Sequence, residues 1–160
     1  MKILSAFVLC LLCIQLYACK TDKRIEPQNN FNNISTKENM KMKITIGTHI
    51  FIATLYNNAT AMAFQRQLPL TINMTELNGN VKYFDLPDNL PANASNPGTI
   101  QAGDLMLYGS NTLVLFYKTF TTSYSYTRLA RIDTPSGLDA ALGSGNPTVK
   151  FELEVKTKIK

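Results

Sequence analysis

From residue 42 onward the chain runs in short stretches of alternating apolar and polar side chains, each soon cut by glycine, asparagine or proline. A repeat of two belongs to an extended strand with one buried face, so the domain is limited to short strands joined by tight turns. Met42, Ile44 and Ile46 fall on one side, with Lys43 and Thr45 on the other; Gly47-Thr48 then turns the chain, and Ile50 and Ile52 continue the apolar side. Leu70, Ile72 and Met74 alternate with Thr71, Asn73 and Thr75, and Asn78-Gly79 reverses the chain into VKYFDL. Asn-Gly between alternating runs is the strongest short-range hairpin signal.

A third hairpin is predicted over 104–108 and 112–117, turned by Gly109-Ser110-Asn111. Its second arm, LVLFY, does not alternate, which implies cover on both faces. In SYSYTRLARI, Tyr124, Tyr126 and Arg128 share one face of an expected strand and Ser123, Ser125 and Thr127 the other. TVKFELEV closes the domain with Val149, Phe151, Leu153 and Val155 inward.

Two short helices interrupt this pattern. Asn58 caps the first, Ala61, Phe64 and Leu68 follow at helical spacing, and Pro69 stops it. Thr134-Pro135 opens the second, which runs through Leu138 and Leu142 to Gly143. The stretch 87–99, with Pro87, Pro91 and Pro97, is too long for a plain connection and is either packed across the domain or functional. Eight strands with two short helices predict a mainly β fold, a closed eight-stranded β-barrel, because closure removes unpaired edges and a helix can plug an open end.

The start of the chain obeys different rules. Lys2 is followed by an almost unbroken apolar run over 3–18, shorter than the about 20 residues a membrane span needs, so 1–18 reads as a secretory signal. Leu16-Tyr17-Ala18-Cys19 resembles a bacterial lipobox, which implies lipid on Cys19 and makes the membrane a partner through that lipid. All three cysteines, Cys10, Cys13 and Cys19, lie in this leader, so disulfides, thiolate metal sites and a thiol nucleophile are excluded from the domain. Residues 19–41, polar and asparagine-rich, read as the lipidated cysteine and a flexible tether, 42–155 as the barrel, and 156–160 as a basic tail. Export to the bacterial cell envelope follows, with display at the outer membrane or cell surface.

A formal charge of +5 does not point to nucleic acid, because seven Lys and Arg face eight Asp and Glu within 42–155. The excess sits in the tether and in Lys156, Lys158 and Lys160. Paired-histidine zinc spacing, a G-x-S-x-G elbow and a Walker loop are not found, and GSGNP at 143–147 lacks the lysine of a phosphate loop; no metal or cofactor is expected. His49 reads as a solvated turn residue and Asp104, after Gly103, as a turn acceptor.

The order of elements, together with NATAMAFQRQLPLTINMTELNGNVKYFDLP, NPGTIQAGDLMLYGSNTLVLFYK and YSYTRLARID, resembles the bacterial cyclophilin-like domain of exported lipoproteins, over about 42–153. The resemblance implies a cyclophilin-type eight-stranded barrel, with no activity established for the family in general. True cyclophilins isomerise prolyl bonds, which requires an apolar proline pocket and a donor such as arginine aimed at the amide nitrogen. FQRQLP superficially matches the segment that carries the cyclophilin arginine, yet TAMAF matches an earlier cyclophilin helix, so Arg66 reads as a surface helix charge. The glutamine and glycine that follow that arginine have no counterpart, and no catalytic residue is assigned.

The strongest remaining constellation is Tyr124, Tyr126 and Arg128, with Tyr83 and Tyr108 beside them. Phenols and a guanidinium on one face suit a carbonyl, a carboxylate or a sugar. The expected function is non-covalent binding of a peptide or small molecule; a prolyl isomerase and a ligand-free envelope module are the alternatives.

Overall fold

The computed structural model describes residues 40–154. The signal, the Cys19 site, nearly all of the tether, Val155 and the basic tail lie outside the described residues.

Strand β1 (Lys41–Ile46) buries Met42, Ile44 and Ile46, and a two-residue turn at Gly47 (φ +56°) leads into β2 (His49–Leu55). That turn pairs Ile46 with His49 and Ile44 with Phe51, and residues opposite one another share a face. Phe51, Ala53 and Leu55 therefore enter the core, whereas Ile50 is 62% exposed and Ile52 only partly buried, which corrects the expectation for these two isoleucines. Helix α1 (Ala59–Gln65) is capped by Asn58, whose Oδ1 accepts from the Ala61 amide at 2.8 Å. It buries Ala61 and Phe64, the latter edge-on to Phe151 at 5.9 Å, and ends one turn before Pro69, since the residue preceding proline is pushed out of helical geometry.

Strands β3 (Leu70–Asn73) and β4 (Thr75–Leu77) are two halves of one extended run, parted only at Met74, whose amide donates to Pro147. Asn78 and Gly79, both at positive φ, turn the chain into β5 (Val81–Asp85). Next come β6 (Thr99–Ile100), the hairpin β7 (Asp104–Tyr108) and β8 (Thr112–Phe116), and β9 (Phe120–Thr121). Strand β10 (Thr127–Ile132), helix α2 (Leu138–Leu142) and β11 (Thr148–Leu153) complete the domain. Helix α2 begins after Gly137 rather than at the expected Thr134-Pro135, because Gly137, at φ +82°, is left-handed and cannot lie inside a right-handed helix.

The main sheet has nine strands in the order β3-β11-β1-β2-β10-β7-β8-β5-β4. Its two ends, β3 and β4, adjoin in the chain, so the sheet curls into a nearly closed barrel; the ninth strand arises only from the break at Met74. Leu105, Leu107, Leu113 and Leu115 point into the main core. Met106, Val114 and Phe116 emerge on the opposite face into a second cluster with Val81 and Ile100, against which Phe120 of the small β6-β9 ribbon packs. LVLFY thus has cover on both faces, as its lack of alternation predicts. The 87–98 loop is packed across the domain: Leu90 is buried and its amide donates to Ser110, Thr60 donates to the Pro91 carbonyl, and Ser95 bridges to Tyr126.

One ammonium is sealed inside. Lys82 is fully buried and donates to the Glu76 carboxylate and to the carbonyls of Gly143 at 2.8 Å and Gly145 at 2.7 Å, which uses all three of its protons. The Tyr117 hydroxyl donates to Glu76 at 2.9 Å. Burial works to raise the Glu76 carboxyl, but hydrogen bonds from Lys82, Tyr117 and the Gly79 amide outweigh it and hold the group below its ordinary value. Burial, then the neighbouring Glu76 carboxylate, pushes the Tyr117 phenol up to about 12.

Breaking one side of this pair leaves a charge without its counterion. Glu76→Gln is expected to cost about 3 kcal/mol by urea denaturation, and adding Lys82→Met to restore most of that loss. A phenol raised above its ordinary value of 10.0 contributes stability that is complete below pH 10 and lost as pH climbs towards 12. Denaturation midpoints measured across that window therefore fall less steeply for Tyr117→Phe than for the natural chain.

Candidate functional site

The outer face of β5, β8, β7 and β10 carries the candidate site. Alternation in β5 and β8 sends Tyr83 outward next to Val114, its partner across the strands. Tyr108, at the end of β7, stands outside the barrel and is 46% exposed. The β10 register, with Thr127 opposite Leu107, brings Tyr126 alongside Tyr108, with ring centres 5.6 Å apart. These residues frame a cleft of about 640 Å³ floored by Val114 and Phe116, with β9 and the 122–124 loop on one side. Its dimensions suit a small ligand or a few residues of a peptide.

The aromatic rings are held by one another. Tyr126 meets Phe116 edge-on at 5.4 Å, Tyr124 meets Tyr108 edge-on at 6.2 Å, and Phe120 tilts against Phe116 at 5.8 Å. Such pairs fix ring orientation without a polar partner. Burial pushes the Tyr126 phenol above its ordinary value.

Four of the five expected ligand-binding residues, Tyr83, Tyr108, Tyr124 and Tyr126, line this one cleft. The fifth does not. Strand β10 starts at Thr127, so Tyr124 lies in the preceding loop and Tyr126 joins the backbone only through its bridge to Ser95. Arg128 lines a second cavity of about 300 Å³ with Asn58, Thr60, Pro91 and Asn93, on the far side of that bridge. Its guanidinium rests on the Tyr56 ring at 5.9 Å and reaches the Tyr56 hydroxyl at 3.4 Å. Tyr124 and Tyr126 therefore line one cavity and Arg128 another, although the β10 register sets Arg128 opposite the outward-facing Met106.

The remaining candidates are plainly placed. His49 and Arg66 are exposed, at a hairpin turn and at the end of α1 respectively. Asp104 is buried and accepts from the Gln101 amide at 2.9 Å, the turn role expected of it. Among the described residues no three His, Cys, Asp or Glu side chains are grouped to hold a metal, and no helix is long and apolar enough to cross a membrane. Sequence reasoning missed Leu77, Phe116 and Phe120 as cleft residues; the non-alternating LVLF was the available signal for Phe116.

The family model for the cyclophilin-like family matches residues 44–154. Among curated proteins no match is found. The solution structure of the hypothetical protein AF2241 from Archaeoglobus fulgidus is similar at 17% identity and a TM-score of 0.49, over 71% of this chain and 94% of that one.

The division between the two cavities has a direct check. Arg128→Ala is expected to shift the ring resonances of Tyr56 while leaving those of Tyr108 and Tyr124 in place; equal shifts at all three would join the cavities into one site.

Proposed function

The chain belongs to the cyclophilin-like family, and on that premise we propose that its barrel binds a peptide or small ligand, without covalent chemistry, in the tyrosine-framed cleft. The observation that carries this reading is where apolar surface is left in water. Six large apolar or aromatic residues among those described are well exposed, and three of them, Leu77, Tyr108 and Tyr124, rim this single cleft. Scattered exposure is ordinary, whereas convergence on one concave surface marks a place where a partner removes it from water.

The cyclophilin-like fold and the apolar floor of Val114 and Phe116 favour a second reading, a prolyl isomerase. That reaction needs a donor beside the proline, and Arg128 faces another cavity, so the binding reading is the better supported. We further propose that a lipid on Cys19 holds the domain at the bacterial cell envelope, on the strength of the apolar run 3–18 and the residues that precede the cysteine.

The test is a fragment and proline-peptide titration of the full-length protein, followed through its tyrosine rings. Saturable shifts at Tyr83, Tyr108 and Tyr124, weakened about tenfold or more by Tyr108→Ala, are expected. Silence at all three against every compound removes the binding reading, and faster cis/trans exchange of a proline peptide puts the isomerase in its place. Lipid labelling is expected to vanish in Cys19→Ala; labelling that persists contradicts the anchor.

A further inference from the structure

The charge lining the cleft is one-sided. Asp85 is the one charged residue among those that line it; the others are four tyrosines, apolar residues and neutral polar ones. The cations nearest in the chain are turned away. Lys82, on the same strand as Asp85, has its ammonium buried against Glu76 and two carbonyls, Lys118 holds its ammonium over the Tyr117 ring at 5.8 Å, and Arg128, which lines the other cavity, rests on the Tyr56 ring. Asp85 itself is exposed, accepts one hydrogen bond, from Thr112 at 2.6 Å, and has no cationic partner among the described residues. Its carboxylate therefore retains acceptor positions for a ligand.

Cross-strand register places that carboxylate usefully. Asp85 lies opposite Thr112 and Thr112 opposite Tyr108, so a carboxylate and a tyrosine flank one row of the outer face. Tyr83 follows on the same side of β5, opposite Val114. An aromatic ring presents negative charge on its face and attracts a cation, and a guanidinium adds planar stacking and a paired contact to a carboxylate. We propose that the cleft selects a cationic side chain, specifically the arginine of a peptide, with its aliphatic stem over Val114 and its guanidinium between the tyrosines and Asp85. An anionic ligand would meet Asp85 and tyrosine faces with no cation among the lining residues. This inference rests on the binding reading above and specifies its ligand.

The test uses two blocked amino acids of equal shape. N-acetyl-arginine amide and N-acetyl-citrulline amide differ in charge and hardly at all in form, and each is titrated into the full-length protein with the rings of Tyr83 and Tyr108 observed. The arginine compound is expected to bind about tenfold more tightly, an advantage that Asp85→Asn abolishes and added salt reduces. Equal binding of the two overturns the charge selection and leaves the cleft as a neutral binding site. Binding of neither compound also overturns it, and the fragment titration then decides separately whether the cleft binds anything. An arginine preference that survives Asp85→Asn contradicts the assigned carboxylate.

Discussion

Everything in this domain hangs on the backbone pairing of one extended run, residues 70–77. Its first half hydrogen-bonds to β11 and its second half to β5, and those two strands are otherwise far apart in the sheet order. One stretch thereby joins both ends of a sheet that would otherwise expose two edges. The switch of partner occurs at Met74, where the amide goes to Pro147 and the side chain stays in the core. Once the ends meet, the interior is enclosed, and the leucines of β7 and β8 face the other strands across it.

Enclosure on the inside makes the outside available. Because β7 and β8 have core contacts through one face, their other face is free to carry Met106, Val114 and Phe116 outward under a thin cover of β6-β9. That cover is incomplete, and the cleft is the part it leaves open. Tyr83 and Tyr108 thus stand on strands backed by the core, Tyr126 is bridged to Ser95, and Tyr124 approaches from the loop after β9. The Lys82-Glu76-Tyr117 network reinforces the same region, tying β4 and β5 to the carbonyls that follow α2.

Much of this is legible in the sequence. Turn chemistry located the hairpins, since Gly47 and the Asn78-Gly79 pair take the positive φ that their positions require. Composition made LVLFY a strand covered twice. What composition does not encode is register: Ile50 and Ile52 looked like core residues, yet a two-residue turn sets Phe51 opposite Ile44 and turns the isoleucines outward. The tyrosines are recognisable as a group, but alternation alone joins Arg128 to them, and the 91–95 residues with which it shares a cavity reach it through contacts distant in sequence, such as Ser95 with Tyr126. Lys82 was unreadable for a related reason. A lysine in VKYFD signals a solvated edge unless one knows that Glu76 lies across from it and that two carbonyls of the 143–145 turn close above it.

If the domain binds a ligand as proposed, the open part of the outer face receives it, not the barrel interior and not the Arg128 cavity. Crystals of the protein soaked in a mixed fragment set test it most directly. Fragment density gathered among Tyr83, Tyr108, Tyr124 and Tyr126 is the predicted result. Density gathered instead around Arg128 and Tyr56, with the cleft empty, would contradict it.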